Sequence, residues 1–205
     1  MAKHGLSFDD MPAPADEAAL IRDNGLRRRN VAKIASVPVE KNHDGSDPGI
    51  TELTLPKGHS IQKLKDLVKE TFGTTDFQIQ DDRGPFNLIN PFVNMINDKT
   101  CRVYVTNGVL EGSRNKDVHQ KQNLIKDLKG EVPDYLTVAT LVALSCLSSS
   151  RKKQVRLFST NGTQPTFTEC TGNFVVGGFT ANTLYIRSKV QGNDYHGVAL
   201  MVREP

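Results

Sequence analysis

The chain has 205 residues, 37% apolar, 24% charged and 6% aromatic, with no Trp and a formal net charge of +3. That length fits one large domain or two small ones, and the apolar share suffices for a packed core with polar tails or loops left over. The composition argues against a helical membrane protein, a collagen-like repeat and a disulfide scaffold, and it points to no particular reaction.

Residues 1–30 read as a flexible N-terminal arm. Pro12 and Pro14 sit in an Ala/Asp-rich run, and Asp16 suits the cap of a short helix that Asn24-Gly25 would stop. Only Leu20, Ile21 and Leu26 give that helix an apolar face, so alone it is marginal. From residue 31 the pattern changes. Val31, Ile34, Val37 and Val39 read as a strand interrupted by Pro38. The turn-rich run Asn42–Gly49 leads into Ile50, Leu53 and Leu55, a second strand, so a hairpin is expected.

Ser60 is a good N-cap, and Ile61, Leu64, Leu67, Val68 and Phe72 recur at helical spacing before Gly73. The spacing predicts a three-turn amphipathic helix. Phe77 and Ile79 alternate with Gln78 and Gln80, and Asp81–Pro85 makes a turn. Phe86, Leu88 and Ile89 resume apolar character, and an irregular segment follows. Arg102-Val103-Tyr104-Val105 is a strand, which Asn107-Gly108 stops.

This order of elements over residues 31–107 resembles the ubiquitin-like β-grasp superfamily. Ile50 through Phe72 is similar to its second strand and helix, and Phe77-Gln78-Ile79-Gln80-Asp81-Asp82-Arg83-Gly84 to its third strand and turn. Asn97 through Val105 resembles the polar turn into its final strand. The resemblance implies a helix packed across a mixed sheet, recruiting partners by a sheet face or by edge pairing. No Gly-Gly ends this segment, so conjugation of the ubiquitin kind is not implied.

Residues 108–116 read as a linker. A helix follows to about Lys129, with Val118, Leu124, Ile125 and Leu128 apolar and Gly130 closing it. Pro133-Asp134 opens another, apolar almost all round from Leu136 to Leu147, which predicts a central core helix. At 12 residues this stretch is well short of the roughly 20 needed to span a bilayer. The remainder reads as β. Val155 and Leu157 lead to an Asn161-Gly162 turn, and Phe167 and Phe174–Val176 precede Gly177-Gly178. Leu184–Ile186 and Val198–Val202 flank Gly192-Asn193-Asp194 as a hairpin. The expectation is an α+β chain: a β-grasp domain at 31–107, then an α+β domain at 117–205 with two helices packed on an antiparallel sheet.

Catalytic signatures are scarce. The P-loop, the dinucleotide fingerprint and the nucleophile elbow are absent, and Gly177-Gly178 reads as a turn or bulge. His4, His43, His59, His119 and His196 never take zinc-ligand spacing. Cys101, Cys146 and Cys170 contain no Cys-x-x-Cys, and an odd, sparse count suits a reducing compartment. Cys170 with His196 is the one nucleophile–base pair worth testing, and Cys146 reads as an inert core residue. The N-terminus lacks a secretory leader's apolar core, so a cytoplasmic or other intracellular location, or a virion, is expected.

Two basic clusters stand out: Arg27, Arg28, Arg29 and Lys33, and Arg151, Lys152, Lys153 and Arg156. Either suits nucleic-acid phosphate or an anionic membrane surface; the competing reading is a solvated edge or linker. No cofactor, metal or small-molecule substrate is indicated. The expected function is a non-enzymatic interaction or structural protein, a self-assembling viral or intracellular component among the options. The alternative is a nucleic-acid or anionic-surface binder using the two basic clusters.

Overall fold

The computed structural model describes residues 31–32, 34–41, 45, 47–72, 78–81, 84–85, 96–148, 168–171, 174–180, 183–188 and 196–204. The 1–30 arm, the Val155 to Phe167 run and the Gly192–Asp194 turn lie outside them. The described residues include the strands and longer helices β1 (Ile50–Leu55), α1 (Ile61–Phe72), β2 (Gln78–Asp81), β3 (Gly84–Pro85), β4 (Cys101–Thr106), α2 (Val118–Asp127), α3 (Tyr135–Ser148), β5 (Thr168–Cys170), β6 (Phe174–Thr180), β7 (Thr183–Ser188), β8 (Gly197–Val198) and β9 (Met201–Arg203). They form a mixed α/β architecture with two sheets, one of three strands in the order β1-β4-β9 and one of six in the order β3-β2-β7-β6-β5-β8.

Local signals placed the helices well. Ser60 Oγ accepts from the Lys63 N–H at the start of α1, and Ile61, Leu64 and Val68 are buried on one stripe. Asp117 and Gln120 form a reciprocal capping box on α2, with bonds of 2.8 and 3.1 Å. Asp134 caps α3: its Oδ1 accepts from the Thr137 N–H at 2.7 Å. Every residue from Tyr135 to Ala143 is buried. The reason is that α3 packs on β5, β6 and β7 of one sheet while also meeting α1 and β1 of the other layer. Tyr135 lies against Phe174 of β6, with ring centroids 5.0 Å apart.

Strand partnership is where the sequence expectations need correction. Residues 31–32 and 34–35 are helical, not a strand, and Val39 makes only an isolated bridge to Leu110. Val31 and Ile34 stand three apart, a helical spacing, and Pro38 withholds an N–H from any ladder. The 31–39/50–55 hairpin is therefore absent. β1 pairs instead with β4 along its whole length, Ile50 opposite Thr106 and Leu55 opposite Cys101. The strands between 50 and 106 are divided between the sheets, because β2 runs parallel to β7. They do not make one β-grasp sheet by themselves.

The expected boundary at 108–116 does not separate two cores. Val109, Leu110 and Ser113 are buried, and residues 38–40 bond to 109–111 through Glu40 N–H to Val109 O and Glu111 N–H to Pro38 O. β9 completes the sheet begun by β1 and β4, with Val103 opposite Arg203 and Val105 opposite Met201. One apolar cluster holds Leu53, Leu64 and Val103 together with Leu136, Val176 and Leu184. A second covers the opposite face of the three-stranded sheet, joining Ile34 and Tyr104 to Ile125 and Leu200. β4 is thus buried on both faces, since it is the middle strand with a core on each side.

The second sheet is mixed rather than antiparallel: β5–β8 and β2–β7 are parallel pairs, while β5–β6 and β6–β7 are antiparallel. The expected Leu184–Ile186/Val198–Val202 hairpin does not form. β7 pairs with β6 and β2, and residues 197–203 pass from β8 in one sheet to β9 in the other. β6 continues through Gly177-Gly178, and its register against β7 shifts between Gly177 and Thr180, the irregularity expected of glycine in a strand.

Candidate functional site

The described residues concentrate buried polar groups around the first half of α3. Asp134, Thr137 and Thr140 recur every three residues and put a polar stripe on an otherwise apolar helix. Asp134 Oδ1 takes the Thr137 N–H, and its Oδ2 takes the Thr137 hydroxyl at 2.9 Å. Arg203, carried in by β9, sets Nη2 3.6 Å from the same Oδ2. Its Nη1 donates to Cys101 Sγ at 3.2 Å, and its Nε lies 3.7 Å from Glu131. One guanidinium therefore joins the start of β4, the approach to α3 and the last strand.

On the same stripe, the Thr140 hydroxyl donates to Leu136 O at 2.8 Å. Its oxygen is left to accept from His59 Nε2 at 2.9 Å when that nitrogen carries the proton. His59 is only 4% exposed. Burial holds its pKa below the ordinary 6.5, and Lys63 adds to that more than Asp134 opposes it.

Nearby, Lys121 of α2 and Glu169 of β5 form a buried ion pair, Nζ to Oε1 2.5 Å, at 2% and 8% residue exposure. Cys170 is buried next in sequence. Desolvation first, then the negative charges of Asp134 and Glu169, push its thiol well above the ordinary range. It stays protonated at neutral pH, the opposite of what a nucleophilic cysteine needs.

The β5–β8 pairing offsets Cys170 from His196 in register. Thr168 is level with Gly197 and Glu169 with Val198. In this register Cys170 stands three residues beyond the level of His196. Cys101 is buried and bonded to Arg203. The side chain of Cys146, like both basic clusters (Arg27, Arg28, Arg29, Lys33, Arg151, Lys152, Lys153 and Arg156), lies outside the described residues.

Chemically this arrangement clamps elements together. The Asp134 carboxylate is taken up by a helix cap and an ion pair, and the Thr140 hydroxyl is used in both directions. Among the described residues, no three His, Cys, Asp or Glu side chains gather closely enough to hold a metal ion. Among them, too, no helix is long and apolar enough to cross a membrane. The other feature open to chemistry is the outer edge of β1. Its inner edge is fully paired with β4, and among the described residues no strand pairs with the other side.

Sequence reasoning missed the roles of His59, Lys121 and Arg203. One signal was available: Asp134, Thr137 and Thr140 share a face in the most apolar helix, where polar residues must find buried partners. The partners themselves, 48 to 81 residues away in the cases of Lys121–Glu169 and His59–Thr140, left no local trace. No family model, curated protein or solved structure matches the chain.

Proposed function

We propose that this chain is a non-enzymatic interaction or assembly protein that works through protein–protein contacts. The observation that carries the reading is the edge of β1. Alternate residues along its six present backbone donors and acceptors on the side away from β4, which no other described strand pairs, the geometry by which an added strand docks. The edge is well supported. Leu53 and Leu55 anchor it in the core, and the Thr51 hydroxyl donates to Asn107 Oδ1 at 2.7 Å, so a docking strand would meet a fixed template. From the β-grasp resemblance the proposal keeps the strand-then-helix segment 50–72 as the recruiting surface.

Sedimentation velocity over a wide concentration range, with cross-linking and a Thr54→Lys variant, tests it. The expected result is a species heavier than the monomer, or a defined partner complex, that the added edge charge weakens at least tenfold. A chain that stays monomeric at every concentration and retains no partner overturns the reading, as does an assembly indifferent to Thr54→Lys.

A further inference from the structure

His59 is the buried residue in a pair of loops whose other members are exposed or half-buried. Residues 56–60, between β1 and α1, lie beside residues 96–100, which lead into β4. Three bonds tie the loops together: Gly58 N–H to Asn97 O at 2.7 Å, Asn97 N–H to His59 O at 3.1 Å, and Lys57 N–H to Thr100 Oγ1 at 3.1 Å. Pro56, Lys57, Ile96, Asp98, Lys99 and Thr100 are exposed. The imidazole adds a contact from this pair to the body of the protein, bonded to Thr140 of α3.

We propose that His59 is a pH-sensitive latch, whose second proton expels the ring from its slot against α3 and frees the 56–60 and 96–100 loops together. The ring is 4% exposed, and a net charge at that depth gives up most of its hydration. The Thr140 hydroxyl donates to Leu136 O, so toward the ring it offers an acceptor for one N–H. The charged groups that face the ring divide unevenly. Lys63 of α1 repels an imidazolium. Asp134 at the cap of α3 attracts it, but that carboxylate already serves Thr137 and Arg203. Asp98 and Lys99 on the companion loop are exposed, of opposite sign and adjacent, so they offset each other in high dielectric.

The direction follows from linkage. The closed state holds the ring's pKa below 6.5, so closure is fully favoured above that value and loses ground as pH falls toward the closed-state pKa. The opening constant rises by up to about tenfold for each pH unit below 6.5 within that window. The ends of β1 and β4 at Leu55 and Cys101 adjoin these loops, so the opening borders the three-stranded sheet without crossing it.

The test is an NMR titration of the full chain from pH 8 to pH 5, reading the His59 ring protons and amide exchange normalised to unfolded-chain rates. The expected midpoint lies below 6.5, with protection of the Gly58 and Asn97 amides falling as His59 charges while that of the Val103 and Val105 amides holds. A His59→Gln chain, whose carboxamide still donates to Thr140, should lose the pH dependence. The proposal is overturned if Gly58 and Asn97 stay equally protected through the titration, or if the Gln variant keeps the wild-type pH response. The wild-type titration is decisive by itself should the variant not fold.

Discussion

Replacing Lys121 by Met removes one half of the buried pair that holds α2 to β5. At 2.5 Å the gross attraction is about 7 kcal/mol for an effective dielectric near 20, against under about 2 kcal/mol in bulk water. Bringing both charges out of solvent offsets much of that, so the pair as a whole adds little over apolar residues of the same size. Breaking it is different. Glu169, 8% exposed, would lose its short contact with the ammonium, and the expected loss is about 3–5 kcal/mol. For a chain of this length that is a fall in Tm of about 6–20 °C. Urea denaturation followed by circular dichroism measures it, and the double variant Lys121→Met/Glu169→Leu completes the cycle. The double variant should regain at least half of the loss, because the buried carboxylate is replaced by an apolar side chain. A Lys121→Met cost under about 1 kcal/mol, the range of exposed ion pairs, would refute the reasoning. So would a double variant no more stable than the single one.

Further outcomes follow from other contacts. Gly197→Ala would set a Cβ 2.7 Å from Val109 Cβ and Cγ2, so overpacking of about 1–3 kcal/mol is expected in the same denaturation assay. Asp134→Ala should cost about 1–2 kcal/mol by uncapping α3, whereas Asp134→Asn, which still caps, should recover most of that loss; equal losses would place the effect on the Arg203 pair instead. Tyr104→Phe removes a 2.6 Å bond from the phenol to Glu204, an expected loss of about 1.5–3 kcal/mol at neutral pH. Burial first, and then the Glu204 bond, raise the Tyr104 pKa above its ordinary 10. That contribution is whole below pH 10 and declines as pH rises further, so the alkaline fall in wild-type stability should flatten in the Phe variant.

Residues close in sequence determined the helices. Ser60 and the Ile61/Leu64/Val68 spacing define α1, and Asp117 with Gln120 and Asp134 with Thr137 define the starts of α2 and α3. The largely apolar character of α3 also foretold its burial between two layers, because a helix with so little polar surface has nowhere to meet water. Val103 to Val105 likewise announced a strand. What it could not announce was its neighbours, β1 from one side and β9 from about a hundred residues downstream. Strand alternation specifies two faces and says nothing about which edge meets which, so residues 108–116, mostly polar apart from Val109 and Leu110, passed for a spacer although those two residues are core. The same holds for the candidate site. Lys121 looks like any surface lysine on a polar helix, and Arg203 like any terminal cation. Only the fold brings them to Glu169, Asp134 and Cys101, since a buried charge gains its meaning from a partner that the chain supplies from elsewhere.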